Sequence, residues 1–272
     1  MSGDSSLRNI RLLISYDGTD FAGWQRQDGQ GVRTVQAEIE AALVKLHKRP
    51  VDLAGSGRTD AGVHAAGQVA NFYTDITGMG AERFVPALNS LLPRDLRILE
   101  SREAAPSFHA RFDASSRTYR YFFISGRRSL PAETRYALVL RKPPQIERLN
   151  AYGALLRGEM DCTLFASPAD PGKSRRRYIF QACFYWERGL FGPVLVFEIS
   201  ANAFLWKMVR SLAGTLLFYD EREYSPEEFQ GIIQSGNRSL AGPTLPPQGL
   251  FLWKIDFIPG QRRGSYADPH CR

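Results

Sequence analysis

One order of hydrophobic periodicities runs twice along the chain and limits the folds open to it. The apolar run at 9–16 is strand-like and stops at the turn signal Asp17-Gly18. Thr34 then reads as an N-cap, with Val35, Ile39, Ala42, Leu43 and Leu46 recurring at helical spacing and Pro50 beyond, which predicts a helix over 35–48. Strands are predicted at 51–54 and 67–73, a helix at 80–91, and a further strand in LPRDLRILE at 92–100. After the segment FHARFDASSRTYRYFFI, read as loop and then strand, the order returns with a helix at 145–157, strands at 178–187 and 193–200, and a helix at 203–219. A last strand is expected at 249–257. No sequence repeat of fixed period accompanies this, but two β-α-β-β-α halves would give it. The expected class is α+β on a mainly antiparallel sheet, which leaves one face for a ligand.

Composition supports a folded core, with 43% apolar and 12% aromatic residues among 272. No apolar run approaches the roughly 18 residues of a membrane span, and the N-terminus lacks a signal-peptide core, so no membrane and a cytoplasmic location are expected. Cys162, Cys183 and Cys271 form no C-x-x-C pair, and His47, His64, His109 and His270 have no metal-ligand spacing, so no metal is expected. Tails at 1–7 and 259–272 have little to bury and are expected to be mobile, leaving halves at 8–105 and 106–258. The net charge of +7 is uneven: residues 102–142 carry nine basic side chains against three acidic ones, a local +6. A second basic stretch holds Lys173, Arg175, Arg176, Arg177 and Arg188. Arginine outnumbers lysine in both, which suits phosphate contact and base stacking and points to nucleic acid; Arg175 to Arg177 read equally as a phosphate contact or as a solvated face.

The most unusual segment is Gly55-Ser56-Gly57-Arg58-Thr59-Asp60-Ala61-Gly62-Val63-His64, which sets an acid, a base and a hydroxyl among three glycines. It lacks the Gly-Lys-Ser/Thr of a phosphate loop, and Asp60 stands where G-x-G-x-x-G needs its third glycine, so a nucleotide cofactor is not expected. A nearby Arg58 would keep Asp60 ionised, as a nucleophile or base requires. The same pairing also fits an aspartate turn tied by a local ion pair.

GRTDAGVHAAGQV at 57–69 resembles the catalytic motif of the tRNA pseudouridine synthases of the TruA class. Similar blocks follow in order: YDGTDFAGWQRQ at 16–27, TVQAEIEAAL at 34–43, ALNSLLPRDLRI at 87–98, FHARFDASSRTYRYF at 108–122, NAFLWKMVRSLAGTL at 202–216 and GLFL at 249–252. The resemblance spans about residues 8–258. It implies two ferredoxin-like halves sharing a mixed, mainly antiparallel sheet, with helices on one face and a catalytic cleft between the halves. It also implies a homodimer that acts on tRNA without a cofactor, isomerising uridines 38–40 of the anticodon stem-loop.

By that resemblance Asp60 is the catalytic aspartate, Tyr119 packs on the target base, and Arg210 pairs with the aspartate. Arg58 enters the RNA where the base leaves, and His64, His109 and Arg111 contact RNA or support loops. Helical spacing places Leu205, Met208, Val209, Leu212 and Leu216 on one face of the 203–219 helix and Lys207, Arg210 and Gly214 on another. The Met and Trp residues read as core. The chain departs from the family pattern at Trp206-Lys207, where histidine is frequent, at FYDEREY (218–224) and at Leu245-Pro246-Pro247, none of which is expected to touch Asp60, Tyr119 or Arg210. A non-catalytic RNA-binding protein on the same scaffold is the main alternative.

Overall fold

The computed structural model describes residues 7–258 except 28, 30 and 173. The expected tails therefore lie, apart from Leu7, outside the described residues, as do His270 and Cys271. The elements run β1 (Arg8–Tyr16), α1 (Val35–His47), β2 (Ala54–Gly55), β3 (His64–Thr74), α2 (Phe84–Asn89), β4 (Leu96–Ala104) and β5 (Ser116–Ile124). They continue with β6 (Leu138–Val139), α3 (Ile146–Leu155), β7 (Gly158–Asp161), β8 (Arg176–Gly189), β9 (Gly192–Ala201), α4 (Met208–Asp220), α5 (Pro226–Ser235) and β10 (Leu250–Asp256). Ten strands and five α-helices among the described residues make the class α+β. The chain divides into two compact units, one holding residues up to Ser115 together with 252–258, the other 116–251.

In the first unit β1 lies between β4 and β3, antiparallel to both, and β10 follows β3. Alternation puts Ile10, Leu12, Ile14 and Tyr16 on one buried face of β1. Thr34 caps α1 by accepting from the Ala37 N–H. At the other end of α1 the His47 ring bonds the Thr74 hydroxyl (2.8 Å) and lies against Phe72 and Phe84, which fastens α1 and α2 to β3. The strand expected at 51–54 is only Ala54–Gly55, because Glu40 accepts the Leu53 N–H and Gln36 donates to the Leu53 carbonyl. Helix side chains thus take the backbone groups that a strand would need. The loop at 105–113 stays with this unit: Asn9 donates to the carbonyls of Ala105 and Phe108, and Asn71 accepts from the Ala110 N–H.

In the second unit the order is β5-β9-β8-β7, all antiparallel, with β6 parallel to β5. Rings of Tyr121, Phe123, Phe184 and Phe197 stack in series across these strands. Asn150 of α3 bonds both the N–H and the carbonyl of Phe184, docking the helix on β8. Tyr152, Phe229 and Tyr219 join α3, α5 and α4 in one aromatic cluster.

Helix α4 begins at Met208, five residues later than its spacing suggests. Asn202 accepts the N–H groups of Tyr178 and Ala203, and Lys207 is left-handed at φ 60°. Nor does α4 have an open face, being buried nearly all round from Met208 to Leu216. Its C-terminal stretch FYDEREY is a junction: buried Asp220 accepts from the Gln145 N–H and pairs with Arg148 (2.8 Å), and the Tyr224 carbonyl accepts the Tyr152 hydroxyl. Asp220→Ala would strand the Arg148 guanidinium and the Gln145 N–H, lowering stability by about 2–3 kcal/mol in chemical denaturation, with Asp220→Asn losing roughly half as much.

Candidate active site

The Asp60 loop is fixed from both sides by backbone and buried partners. The Trp24 N–H donates to the Thr59 carbonyl (3.1 Å), the Gly62 N–H to the Phe21 carbonyl (3.2 Å) and the Val63 N–H to the Asp60 carbonyl (3.1 Å). Gln68 of β3 bonds both the N–H and the carbonyl of Gly57, and the Ser56 N–H reaches the Val69 carbonyl. The Tyr16 and Thr59 hydroxyls meet at 2.8 Å in the core, where burial pushes the Tyr16 phenol up. Two glycines permit the closeness: a Cβ at Gly18 would strike the Val63 carbonyl, and one at Gly23 would lie 2.6 Å from the Thr59 oxygen at φ +99°.

In this loop Thr59 is buried, Asp60 half-buried and Arg58 exposed. Arg58 forms no ion pair with Asp60, which corrects the expected local pairing: its side chain is exposed to solvent. His64 is fully buried, with its Nδ1 accepting the Gly18 N–H at 3.0 Å, and so supports the loop that carries Asp60. The Ser56 hydroxyl donates to the Ala110 carbonyl, joining this loop to the 105–113 loop. There His109 Nδ1 accepts the Arg111 N–H, its ring meets Phe112 at 4.3 Å, and Arg111 is exposed. The first unit thus gathers Arg58, Asp60, His109 and Arg111 on two connected loops, with His64 at the start of β3.

The second unit holds the other two residues. Tyr119 on β5 is 8% exposed, with its ring edge-on to Phe204 at 5.1 Å. Arg210, in the first turn of α4, donates from Nε to the Leu245 carbonyl (2.7 Å), while the Leu245 N–H bonds the Arg210 carbonyl. The Tyr121 hydroxyl donates to the next carbonyl, that of Pro246. The departure at Leu245-Pro246-Pro247 therefore does touch Arg210 and holds its guanidinium.

In the arginine run, Arg177 is buried and bonds the Ser174 and Arg176 carbonyls, Arg175 pairs with Asp170 (3.5 Å), and exposed Arg176 meets Glu159 of β7. One further expectation is corrected. Trp24 and Met208 are core, but Trp186 and Trp206 are exposed. Gln68, which fixes the loop, has no role in the sequence expectation; its polarity inside the apolar strand pattern of β3 is the available signal. Among the described residues no group of three His, Cys, Asp or Glu side chains is placed to hold a metal ion, and no helix is long and apolar enough to cross a membrane.

The loop that cradles Asp60 is itself clamped by Arg33, whose guanidinium is bidentate to Asp95 (2.7 and 2.8 Å), bonds Glu38 and lies over the Phe21 ring. Hydrogen bonds from Arg33 hold the Asp95 carboxyl below its ordinary value. A depressed carboxylate stabilises the fold above its unfolded pKa and loses that contribution as pH falls through the folded one. Asp95→Asn is therefore expected to lower stability at neutral pH by roughly 1 kcal/mol for this partly exposed pair. Thermal melts between about pH 3 and 7 should show the gap from wild type closing below about pH 4; a gap constant with pH would remove the clamp from the account.

The model of the family described as tRNA pseudouridine synthase matches residues 12–113 and 154–258. A tRNA pseudouridine synthase A of Treponema denticola is 51% identical over 253 residues, covering 92% of this chain and 93% of the relative. Relatives of the same name from Treponema pallidum and Syntrophomonas wolfei are 46% and 38% identical, covering 88% and 92% of this chain and 85% and 97% of their own. On the match over most of its length, the chain belongs to the tRNA pseudouridine synthase family.

Proposed function

We propose that the protein converts uridine to pseudouridine in tRNA, at positions 38–40 of the anticodon stem-loop, with Asp60 as nucleophile or base and without a cofactor. The observation that carries this reading is the Asp60 loop, an acidic residue pinned on both sides by backbone and buried partners, in a chain related over most of its length to enzymes of that name. The isomerisation breaks the N1–C1′ bond, turns the base and joins C5 to C1′; the proton lost from C5 balances the one gained at N1. One ionised carboxylate meets that chemistry, which has no leaving group for a paired acid to protonate.

In this reading Tyr119 packs on the flipped base and Arg210 pairs with Asp60. Arg58, exposed and without an acidic partner among the described residues, occupies the space that the base vacates, while His109 and Arg111 contact RNA. His64 keeps the loop in place. A homodimer in the cytoplasm completes the proposal.

Pseudouridine formation on unmodified tRNA, read by primer extension after carbodiimide treatment, tests it. Wild type should give stops in the anticodon arm, and Asp60→Asn should lower the rate by about a hundred- to ten-thousandfold with tRNA affinity unchanged. Salt-dependent tRNA binding with no pseudouridine from either protein would instead establish a non-catalytic RNA-binding protein.

A further inference from the structure

Trp206 lies four residues before Arg210 and is 42% exposed. It is also held in place. Its N–H donates to the Asp170 carboxylate and its carbonyl accepts the Ser167 N–H, so the backbone is fixed on both sides by the 167–170 segment. Asp170 is itself satisfied by the Gly172 N–H and by Arg175. A large, partly exposed apolar ring on a pinned backbone is what stacks an unpaired base at low entropic cost.

Lys207 adds a second observation. Its backbone is left-handed, φ 60° and ψ 6°, a conformation that a non-glycine residue adopts only at a cost in strain. Its ammonium lies 4.8 Å from the Trp206 ring centre and has no ion pair or hydrogen bond among the described residues. An unneutralised cation beside an exposed indole suits one nucleotide, base and phosphate together. The neighbouring Phe204 packs edge-on against Tyr119, the residue assigned to the target base, and the helix that follows carries Arg210.

We propose that Trp206 and Lys207 form a platform for one unpaired nucleotide of the substrate RNA outside the target uridine, the indole stacking the base and the ammonium taking its phosphate. The inference rests on the tRNA reading above. Equilibrium binding of unmodified tRNA to the full chain, between about 50 and 200 mM salt, tests it alongside thermal melting and the wild-type pseudouridine assay. Trp206→Ala should weaken binding about tenfold to a hundredfold, and Trp206→Phe should restore most of it. Lys207→Gly should melt at or above the wild-type temperature, because strain is relieved, yet reduce the log–log salt slope by about one.

Binding by Trp206→Ala within twofold of wild type, a loss that Phe does not restore, or an unchanged slope in Lys207→Gly would each overturn the platform. If wild type forms pseudouridine while these variants bind unchanged, only the platform fails. If wild type forms none, the catalytic reading fails on its own readout.

Discussion

Two backbones approach more closely at the Asp60 loop than side chains would allow, and the arrangement of the first unit follows from that approach. The segment at 18–27 passes so near 59–63 that a Cβ at Gly18 or Gly23 would meet carbonyl oxygen. The proximity lets Phe21 and Trp24 exchange backbone bonds with Gly62 and Thr59. A reacting carboxylate must be held within about half an ångström of its productive position, and a loop tied at nearly every second residue can do this where a free loop cannot. The antiparallel pairing of β1 with β3 brings the two segments together, and the Arg33–Asp95 pair closes the far end of the cradle.

The second unit applies the same economy of motion to Arg210. Burial of α4 around its circumference fixes the helix, and Leu245 bonds both the backbone and the guanidinium of Arg210. The positive charge that first suggested a nucleic-acid partner is partly internal. Of the nine basic side chains in 102–142, Arg117 is buried against the Asn202 carbonyl, and Arg120 is paired with Glu198 and Glu187, two acids outside that stretch. The local +6 therefore overstates the field at the surface, and specific exposed groups such as Arg58 and Arg111 matter more than the sum.

Elements set by local periodicity were legible from sequence: β1, α1, β4 and β10 fall within a few residues of their expected limits. The Asp60 loop stood out because three glycines around an acid have few structural uses. What sequence hid was decided at a distance. The strand expected at 51–54 gave way to Glu40 and Gln36, whose polar groups reach across from α1. Trp206 sits in an apolar series that reads as core, and a carboxylate 36 residues away at Asp170 keeps it outside. Helix α5 is absent from the sequence expectation although Ser225 and Glu228 form its capping box with Pro226 in the first turn; it is short, and Phe229 alone of its residues is buried. Arg58 and Asp60 are near in sequence, which suggested a pair that one exposed side chain does not make.

The start of α4 shows how a local exception can be informative. The same chain begins α1 and α5 with Thr34 and Ser225, both in extended backbone and both accepting an N–H from the first turn. These starts stabilise a helix by about 1 kcal/mol each. At α4 there is no side-chain cap, and Lys207 is left-handed instead, so the helix forgoes that contribution and bears strain as well. A fold that builds unstrained helix starts elsewhere has no packing need for this one, because a glycine would give the same backbone without the strain. The lysine side chain, lying over an exposed indole beside the helix of Arg210, is what a glycine could not supply.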